Sequence, residues 1–464
     1  MVPEEIDRWR RNIRAHTFGQ YHAEMGWSIL ERENNADAAA RHFAEAVNHD
    51  PGRLDMHFLL VETLSAGSNG AAAQAARARA LAAHSAYREL GACLVCLRRY
   101  CDDRRDAADT LLQALTAEHA DRPEVRATEA FRRLADGSGP VDTAVGTLDP
   151  RFADGLADAL ATLAQKLAAA GKTIRAAAAY DWLLAVAPRR ADAYAAAANL
   201  QLRGGDYVRM VEIARAGVVV APHDPALRTA LGLALMVVGQ DWAEAHASFA
   251  SVLEQQPSHS VALTNDWYIR IATGQPLSVA EDIRRRLSGQ PTDDLYRSWL
   301  LLALHVAGDV PGVLALASEL NEQYRAQVDN ARYIALALAS AGRVDEGVSL
   351  IEADAAANPR TRVVWAFLRA KRGETAEATR IIEAAVEGLE QNYFELACLA
   401  LLYQSQGRDA EADTLLRRGY AMEPKRQWLM ARLLPDDYPR LDSAYRRLGL
   451  AAPPHWPEAP QLVR

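Results

Sequence analysis

Residues 225–257 read PALRTALGLALMVVGQDWAEAHASFASVLEQQP and contain the structural unit of this chain. Apolar residues such as Leu231 and Leu235 recur at helical spacing and predict one buried face of a helix. Gly239 predicts the end of that helix, because glycine enters the left-handed region at little cost. Asp241 follows at the place where a second helix needs an N-cap. The stretch therefore predicts a helical hairpin.

The second half of the stretch has the features of another helix. Ala245, Phe249 and Val252 form its apolar face, and Pro257 closes it. The same pattern recurs elsewhere with a candidate N-cap after each turn: Thr173, Asp206, Asp309, Thr375 and Asp409. No segment alternates strictly between apolar and polar residues, so strands are not expected. The chain is predicted to be all-α.

Glycines mark the period of this pattern, which is roughly 34 residues long and indicates an array of near-identical units. They are Gly171, Gly205, Gly239, Gly274, Gly308, Gly342, Gly373 and Gly407. Half a period later, five of them are followed by a proline: Pro188, Pro222, Pro291, Pro359 and Pro424. The period is irregular after Gly308, whose unit lacks the closing proline, and before Gly373, where the step is short.

Composition narrows the possible classes of function. The 464 residues are 50% hydrophobic and carry a net charge of −8, without the basic excess of a general phosphate-backbone binder. No nucleic-acid partner is therefore expected. The apolar runs fall short of the roughly 18 residues that span a membrane, so no membrane insertion is expected either. The start of the chain lacks a basic and then apolar signal segment, which favours a cytoplasmic protein.

The chain resembles the tetratricopeptide repeat (TPR) family. The residues that carry the resemblance are Leu231 with Gly232 in the first helix, Ala245 and Phe249 in the second, and the closing Pro257. The resemblance implies an α-solenoid, a right-handed superhelix of helix-turn-helix repeats. It also implies that the first helix of each unit, helix A, lines the concave surface.

The repeats divide the chain into five segments. We expect about three degenerate units in residues 1–135, a linker at 136–150 and about eight units in 151–435. Residues 436–450 are predicted to form a helix that caps the last unit, since the end of an array needs a cover. Residues 451–464 form a proline-rich tail.

The resemblance assigns a concave-surface position to particular residues once each glycine is taken as position 15 of its unit. The candidate partner-binding residues are Leu233, Met236, Tyr268, Ile271, Trp299, Leu302, Tyr333, Leu336, Phe367 and Phe394. Further apolar residues on this surface are Val237, Val261, Leu295, Val363 and Leu401, and its few charges are Asp329, Arg332, Arg360 and Lys371. An apolar surface of this size predicts a groove for an apolar or amphipathic segment. The alternatives are packing between neighbouring repeats and filling by the tail around Trp456.

Two ligand-binding patterns of the resembled family are not matched. A carboxylate clamp needs basic neighbours for Asn199 and Asn265, but Ala195, Leu295 and Trp299 stand there instead. An asparagine ladder would need more than Asn265 at its position. Neither a clamp for a chain end nor a ladder is therefore expected.

Sites of chemistry are not expected. Cys93, Cys96 and Cys101 lie close together, and we interpret them as core residues, with zinc binding or a redox role as alternatives. Phosphate-loop, dinucleotide, HExxH and Gly-x-Ser-x-Gly motifs are absent from the sequence. We therefore expect no catalytic residues, metal or cofactor, and a protein that is not an enzyme.

The leading hypothesis is a scaffold or adaptor that binds a partner protein or peptide in its concave groove. One alternative is a regulator that senses a small peptide. Another is a subunit that recruits substrates for a modifying enzyme encoded separately. The sequence predicts no particular oligomeric state.

Overall fold

The computed structural model describes residues 17–66, 70–139, 143, 146–238, 241–289, 293–320, 322–388, 393–422, 433–434 and 436–450. Gly239, Pro291, Pro424 and the tail at 451–464 lie outside the described residues. Within them the chain forms helices and no strands, in agreement with the all-α prediction.

The first part of the chain forms three helical hairpins and one further helix. Their bounds are α1 (residues 17–28, continued by a π-helical turn Ile29–Glu33), α2 (Ala36–His49), α3 (Leu54–Ala66), α4 (Gly70–Ala83), α5 (Tyr87–Cys101), α6 (Arg105–His119) and α7 (Pro123–Asp136). α3 packs on α2, α4 and α5, so successive hairpins stack on one another.

Eight further hairpins follow in the described residues, and a last helix ends the array. The first four hairpins are α8 (Pro150–Ala169) with α9 (Thr173–Val186), α10 (Ala191–Gly204) with α11 (Tyr207–Val220), α12 (Pro225–Val238) with α13 (Trp242–Gln255), and α14 (Ser260–Ala272) with α15 (Pro276–Leu287). The other elements are α16 (Asp294–Ala307), α17 (Val310–Glu319), the short α18 (Glu322–Arg325), α19 (Val328–Ser340), α20 (Val344–Ala357), α21 (Pro359–Lys371), α22 (Thr375–Gly388), α23 (Tyr393–Ser405), α24 (Asp409–Met422) and α25 (Tyr438–Arg447).

Glycine ends the A helices as the sequence predicts. Gly308 follows α16 with a φ of 74°, in the left-handed region that side chains with a Cβ avoid. Its N–H donates to His305, and the next N–H, of Asp309, donates to Leu304, which satisfies two carbonyls at the helix end. Every glycine of the period that lies within the described residues has a positive φ.

Aspartates begin several B helices. The side chains of Asp206, Asp241 and Asp309 accept hydrogen bonds of 2.9–3.0 Å from the backbone N–H three residues later. The prediction of Thr173, Thr375 and Asp409 as N-caps is wrong, because each is the first residue of its helix. Lys172 precedes Thr173 without a side-chain cap.

In the hairpin of α12 and α13, a small residue faces a large one. A Cβ added at Gly232 would lie 2.6 Å from the ring of Phe249, which is fully buried on the facing helix. Ala245 and Val252 of the same helix are also fully buried. The close approach explains why small and aromatic residues alternate at these positions, since an interior at native density leaves no spare volume.

The short step of the glycine period has a local cause. Helices α9 and α10 are separated by residues 187–190, whereas α20 and α21 are separated by Asn358 alone. The Asn358 side chain accepts hydrogen bonds from the backbone N–H groups of Arg360 and Thr361. One asparagine thus caps α21 directly after α20 and shortens the repeat.

The expected linker joins two helices of the same compact unit. α7 ends at Asp136, α8 begins at Pro150, and α8 packs on α5. Two compact units divide the chain at residues 230 and 231, within α12, and each is described here by itself. Residues 1–230 form unit 1, and residues 231–464 form unit 2. The role of 136–150 as a boundary between two arrays stays a prediction.

Helix α25 covers the last repeat of unit 2. Leu441 and Tyr445 on one face of α25 are fully buried, and α25 packs on α23. Arg447 forms a bidentate ion pair of 2.6 and 2.8 Å with Asp413 on α24. The apolar face of α25 therefore acts as a cap for the final hairpin.

Candidate functional site

Three of the ten candidate partner-binding residues belong to the core of unit 2. Phe367 is 3% exposed, and Ile271 and Leu336 are also buried. Phe367 packs in one cluster with residues of α21, α23 and α25, and Ile271 packs with residues of α14 to α16. Neighbouring repeats enclose Phe367 and Ile271, which leaves little of either side chain for a partner, whereas Leu336 also lines the cavity described below. Partner contact by these residues stays a prediction.

The other seven candidates are half-buried: Leu233, Met236, Tyr268, Trp299, Leu302, Tyr333 and Phe394. Two of these residues, Tyr268 and Trp299, contact other aromatic rings of the array. The rings of Trp299 and Trp267 are 6.2 Å apart, and those of Tyr268 and Trp242 are 6.1 Å apart. The inner surface is thus only partly exposed to solvent. This result is intermediate between an open groove and complete internal packing, which the sequence analysis gave as alternatives.

A cavity of about 260 Å³ brings four of the candidates together. Tyr268, Tyr333, Leu336 and Phe394 form its apolar walls. The remaining lining residues are Asp329, Arg332, Arg360, Val364, Tyr393, Glu395 and Leu433. Helices α14, α19, α21 and α23 all contribute, so the cavity lies on the A helices. Leu233, Met236, Trp299 and Leu302 lie elsewhere on the surface.

Charged groups of both signs border this cavity. The Arg332 guanidinium donates to Asp329 and, over 3.3 Å, to the carbonyl of Val328. Arg360 is exposed, and within the described residues its guanidinium has no ion pair or hydrogen bond. Burial raises the pKa of the Glu395 carboxyl, against the effects of its own backbone N–H and of the two arginines. Arg360 is therefore the cation available to an acidic ligand.

The chain itself covers part of the inner surface. Residues 433, 434, 436 and 437, which we call the return segment, contact residues near the C-terminal ends of α16, α19 and α21. Leu434 is buried in the core cluster that also holds Phe367. Residue 435 lies outside the described residues.

Three polar contacts hold the return segment. His305 on α16 donates through Nε2 to the carbonyl of Leu433, at 2.9 Å. The Ser340 hydroxyl on α19 donates to the carboxylate of Asp436. Lys371 on α21 donates to Asp437 at 2.9 Å. Three successive A helices thus each contribute one donor.

His305 is the most deeply buried of these donors. Its ring stacks on Tyr333, with centroids 5.1 Å apart. Complete burial lowers the pKa of His305 to about 4, so the imidazole is neutral at pH 7 with its proton on Nε2. The stack links the return segment to the wall of the cavity.

Only part of this site could be predicted from the sequence. Lys371, Asp329, Arg332 and Arg360 were placed on the inner surface by the repeat positions, and all four lie at the cavity or the return segment. His305 and Ser340 occupy positions 12 and 13 of their units, which the same positions would have identified. The contacts of residues 433–437 have no local signal, because their partners lie on helices far earlier in the chain. The predicted filling by the tail around Trp456 lies outside the described residues.

The cysteine side chains are buried in the core. Cys93, Cys96 and Cys101 lie buried on α5, and the Sγ atoms of Cys96 and Cys101 point to the carbonyls of Ala108 and Ala159. Burial raises the pKa of the Cys93 and Cys101 thiols to about 12. Across the described residues no three metal-ligating side chains come together. The interpretation as core residues agrees with this placement.

Unit 1 has a charged inner surface that the sequence analysis missed. A cavity of about 570 Å³ lies between α3, α5 and α8. At its edge, Arg53 pairs with Asp55 through bonds of 3.0 and 2.7 Å, and Arg98 pairs with Glu24 through bonds of 3.0 and 2.5 Å. These paired charges contrast with the aromatic surface of unit 2. Over the described residues, no helix has the length and apolar character to cross a membrane.

The helix bounds, the glycine C-caps and the small-to-aromatic contacts define a helical-repeat protein with the tetratricopeptide-repeat fold. No protein-family model matches the chain, and no curated protein matches it at a significant level. Among solved structures, it is similar to a tetratricopeptide repeat protein from Parabacteroides merdae, with 12% identity, a TM-score of 0.47 and coverage of 53% of this chain and 98% of that one.

Two longer structures are also similar. Yeast Tom70 has 11% identity and a TM-score of 0.40, with coverage of 95% of this chain and 98% of that one. Cut9–Hcn1, described as an APC/C hetero-tetramer, has 13% identity and a TM-score of 0.38, with coverage of 90% and 96%. At these identities the similarity concerns the fold and says nothing about partners.

Proposed function

We propose that the chain is a non-enzymatic adaptor that holds an apolar or amphipathic segment of a partner protein on the inner surface of unit 2. The observation that carries this proposal is the cavity bounded by Tyr268, Tyr333 and Phe394. Its volume of about 260 Å³ is near the lower end of ligand pockets, which supports insertion of a single large side chain of the partner.

Charge favours an acidic residue beside that apolar anchor. Arg360 at the edge of the cavity is exposed and has no polar side-chain partner among the described residues. A guanidinium binds a carboxylate through two parallel hydrogen bonds, which adds orientation as well as affinity. The partner segment therefore carries a bulky apolar residue with a carboxylate close to it.

Reversal of the charge at Arg360 tests this adaptor function. The exposed side chain of Arg360 makes Arg360→Glu compatible with folding, and Arg380→Glu is a matched control on the exposed face of α22. Affinity capture with quantitative mass spectrometry should give one partner that the unaltered chain and the control retain and Arg360→Glu loses. Equal capture of every protein by all three chains would contradict the proposal.

A regulator that senses a small peptide is the second candidate. The observation that favours it is that Leu433 of the return segment lines the cavity, so a ligand there would contact this segment. A library of short peptides and thermal unfolding would distinguish the two functions. A regulator should be stabilised by a peptide of a few residues, whereas an adaptor should need a longer segment.

A further inference from the structure

We propose that the surface under the return segment is a docking site for a partner segment that turns tightly and presents an apolar residue followed, two and three positions later, by two acidic residues. The return segment is its built-in competitor. This inference rests on the adaptor function and names the chemistry of the partner. Its polar contacts come from His305, Ser340 and Lys371, none of which lines the cavity, and it adjoins the cavity at Leu433.

The contacts of the return segment indicate which residues this surface can bind. Leu433 is recognised through its backbone carbonyl, by His305, and any residue could supply that acceptor. Leu434 is buried, so the second position must be apolar. Asp436 and Asp437 accept from Ser340 and Lys371, so the last two positions must be acceptors.

The lysine at this site is positioned for an acidic ligand. The Nζ atom of Lys371 lies 5.4 Å from the centre of the Phe367 ring, and Phe367 is itself fixed in the core. The side chains of Lys371 and Asp437 are 31% and 15% exposed, so their ion pair remains accessible to solvent. An accessible pair of this kind is weak and exchanges readily.

The return segment and helix α25 are held in different ways. α25 is fixed by fully buried Leu441 and Tyr445, whereas the acidic end of the return segment is held by polar contacts: Ser340 with Asp436, Lys371 and Arg440 with Asp437, and the Asp437 N–H with the Leu434 carbonyl. Attachment to the chain gives the segment a high effective concentration, about millimolar for a short flexible connection. A partner with the same pattern must therefore compete with it, and weakening the internal contact should strengthen partner binding.

A charge-swap experiment on the full chain tests this site. The probe is a fluorescein-labelled peptide with the sequence of residues 431–439, ARLLPDDYP, and the matched control peptide is ARLLPKKYP. Asp437→Lys places two cations together and weakens the internal contact. Fluorescence anisotropy should show that this variant binds the acidic peptide about tenfold more tightly than the unaltered chain does.

The double variant Lys371→Glu with Asp437→Lys restores an internal pair of opposite charge. It should return to weak binding of the acidic peptide. Lys371→Glu alone should prefer the control peptide. If Asp437→Lys does not fold, Asp437→Asn removes the ion pair with little change in shape, and a several-fold gain in peptide binding is expected.

Three results would overturn the proposal. One is a folded Asp437→Lys chain that binds neither peptide, and the second is one that binds both equally. The third is a concentration-dependent dimer of Asp437→Asn without peptide binding, which would assign the surface to a second copy of this chain. If Arg360→Glu captures the same proteins as the unaltered chain while peptide exchange is as expected, the failure is confined to the cavity. If Arg360→Glu loses the partner but no variant exchanges the peptide, the failure is confined to the docking site.

Discussion

The imidazole of His305 donates through Nε2 to the backbone carbonyl oxygen of Leu433, which is 2.9 Å away and 128 residues later in the chain. Both groups lie in apolar surroundings, since the ring stacks on Tyr333 and Leu433 packs against the core of the same unit. A buried donor without a partner costs about 1–3 kcal/mol. The bond therefore ties the end of the array to its middle.

Stability should fall as the pH is lowered from about 6.5 towards 4. The pKa of His305 is lowered to about 4 in the folded chain, so in this range the unfolded chain binds more protons. The loss of unfolding free energy from this residue should reach about 2 kcal/mol at pH 5. Urea unfolding at pH 5 and pH 8 measures it.

His305→Gln is the control for that pH dependence. Glutamine keeps an N–H donor for the Leu433 carbonyl and does not titrate, so its loss of stability between pH 8 and pH 5 should be smaller by about 2 kcal/mol. Identical pH profiles of the two chains would show that His305 is not the titrating group.

Phe367 should behave as a core residue. Phe367→Ala leaves a void in a packed cluster and is expected to cost about 3–5 kcal/mol, as measured by chemical denaturation. Arg360→Ala, on the same helix, should change stability by less than about 0.5 kcal/mol because the side chain is exposed. If Phe367→Ala does not reduce the free energy of unfolding, Phe367 is not a core residue and is again a candidate for partner binding.

The cap helix should depend on its apolar face much more than on its ion pair. Tyr445→Ala removes a fully buried ring and is expected to cost about 3–5 kcal/mol. Arg447→Ala removes an exposed pair with Asp413 and should cost at most about 1 kcal/mol. Comparison of the two denaturation midpoints checks the difference, and equal effects would argue against burial as the source of capping.

Gly347 should not tolerate a methyl group. An added Cβ would lie 2.6 Å from the backbone carbonyl oxygen of Ala335 on the preceding helix, so Gly347→Ala should destabilise by about 1–3 kcal/mol despite the better helix propensity of alanine. Gly70→Ala is the matched control, because nothing lies within 4 Å of its Cβ position. It should be neutral or stabilising by up to about 1 kcal/mol. The opposite order would mean that helices α19 and α20 can separate without cost.

The cysteines should resist alkylation in the folded chain. Burial raises the pKa of Cys93 and Cys101 to about 12, so little thiolate is present at pH 8. Iodoacetamide at pH 8 should label none of the four buried thiols before denaturant is added and all of them afterwards, as read by intact mass. Rapid labelling of Cys101 in the folded chain would point to a reactive site.

Much of the fold could be predicted because its signals are local. A glycine such as Gly308 and an aspartate such as Asp309 act on the backbone within a few residues, and the structure places both as expected. Thr173 shows the limit, since its side-chain preference did not decide where α9 begins. The single-residue link at Asn358 could have been found from the short step of the glycine period before Gly373.

The site was less accessible to prediction because burial depends on distant helices. Repeat positions put Phe367 and Tyr333 on the same surface, yet only contacts with other helices decide that Phe367 is enclosed and Tyr333 borders a cavity. The return segment is the clearest case. Nothing near Asp437 in the sequence indicates that its carboxylate meets Lys371.

The order of synthesis gives the return segment a further consequence. Lys371 is the last residue to be synthesised in the three A helices that contact the return segment. The ribosome reaches Asp437 only after it has also translated all of α22, α23 and α24. At about 5–20 residues per second, the inner surface is without its own cover for roughly 3–13 s. Under the proposed docking, a partner made nearby would meet a surface without its internal ligand during this interval, and one that arrives later would have to displace a segment already tethered to the chain.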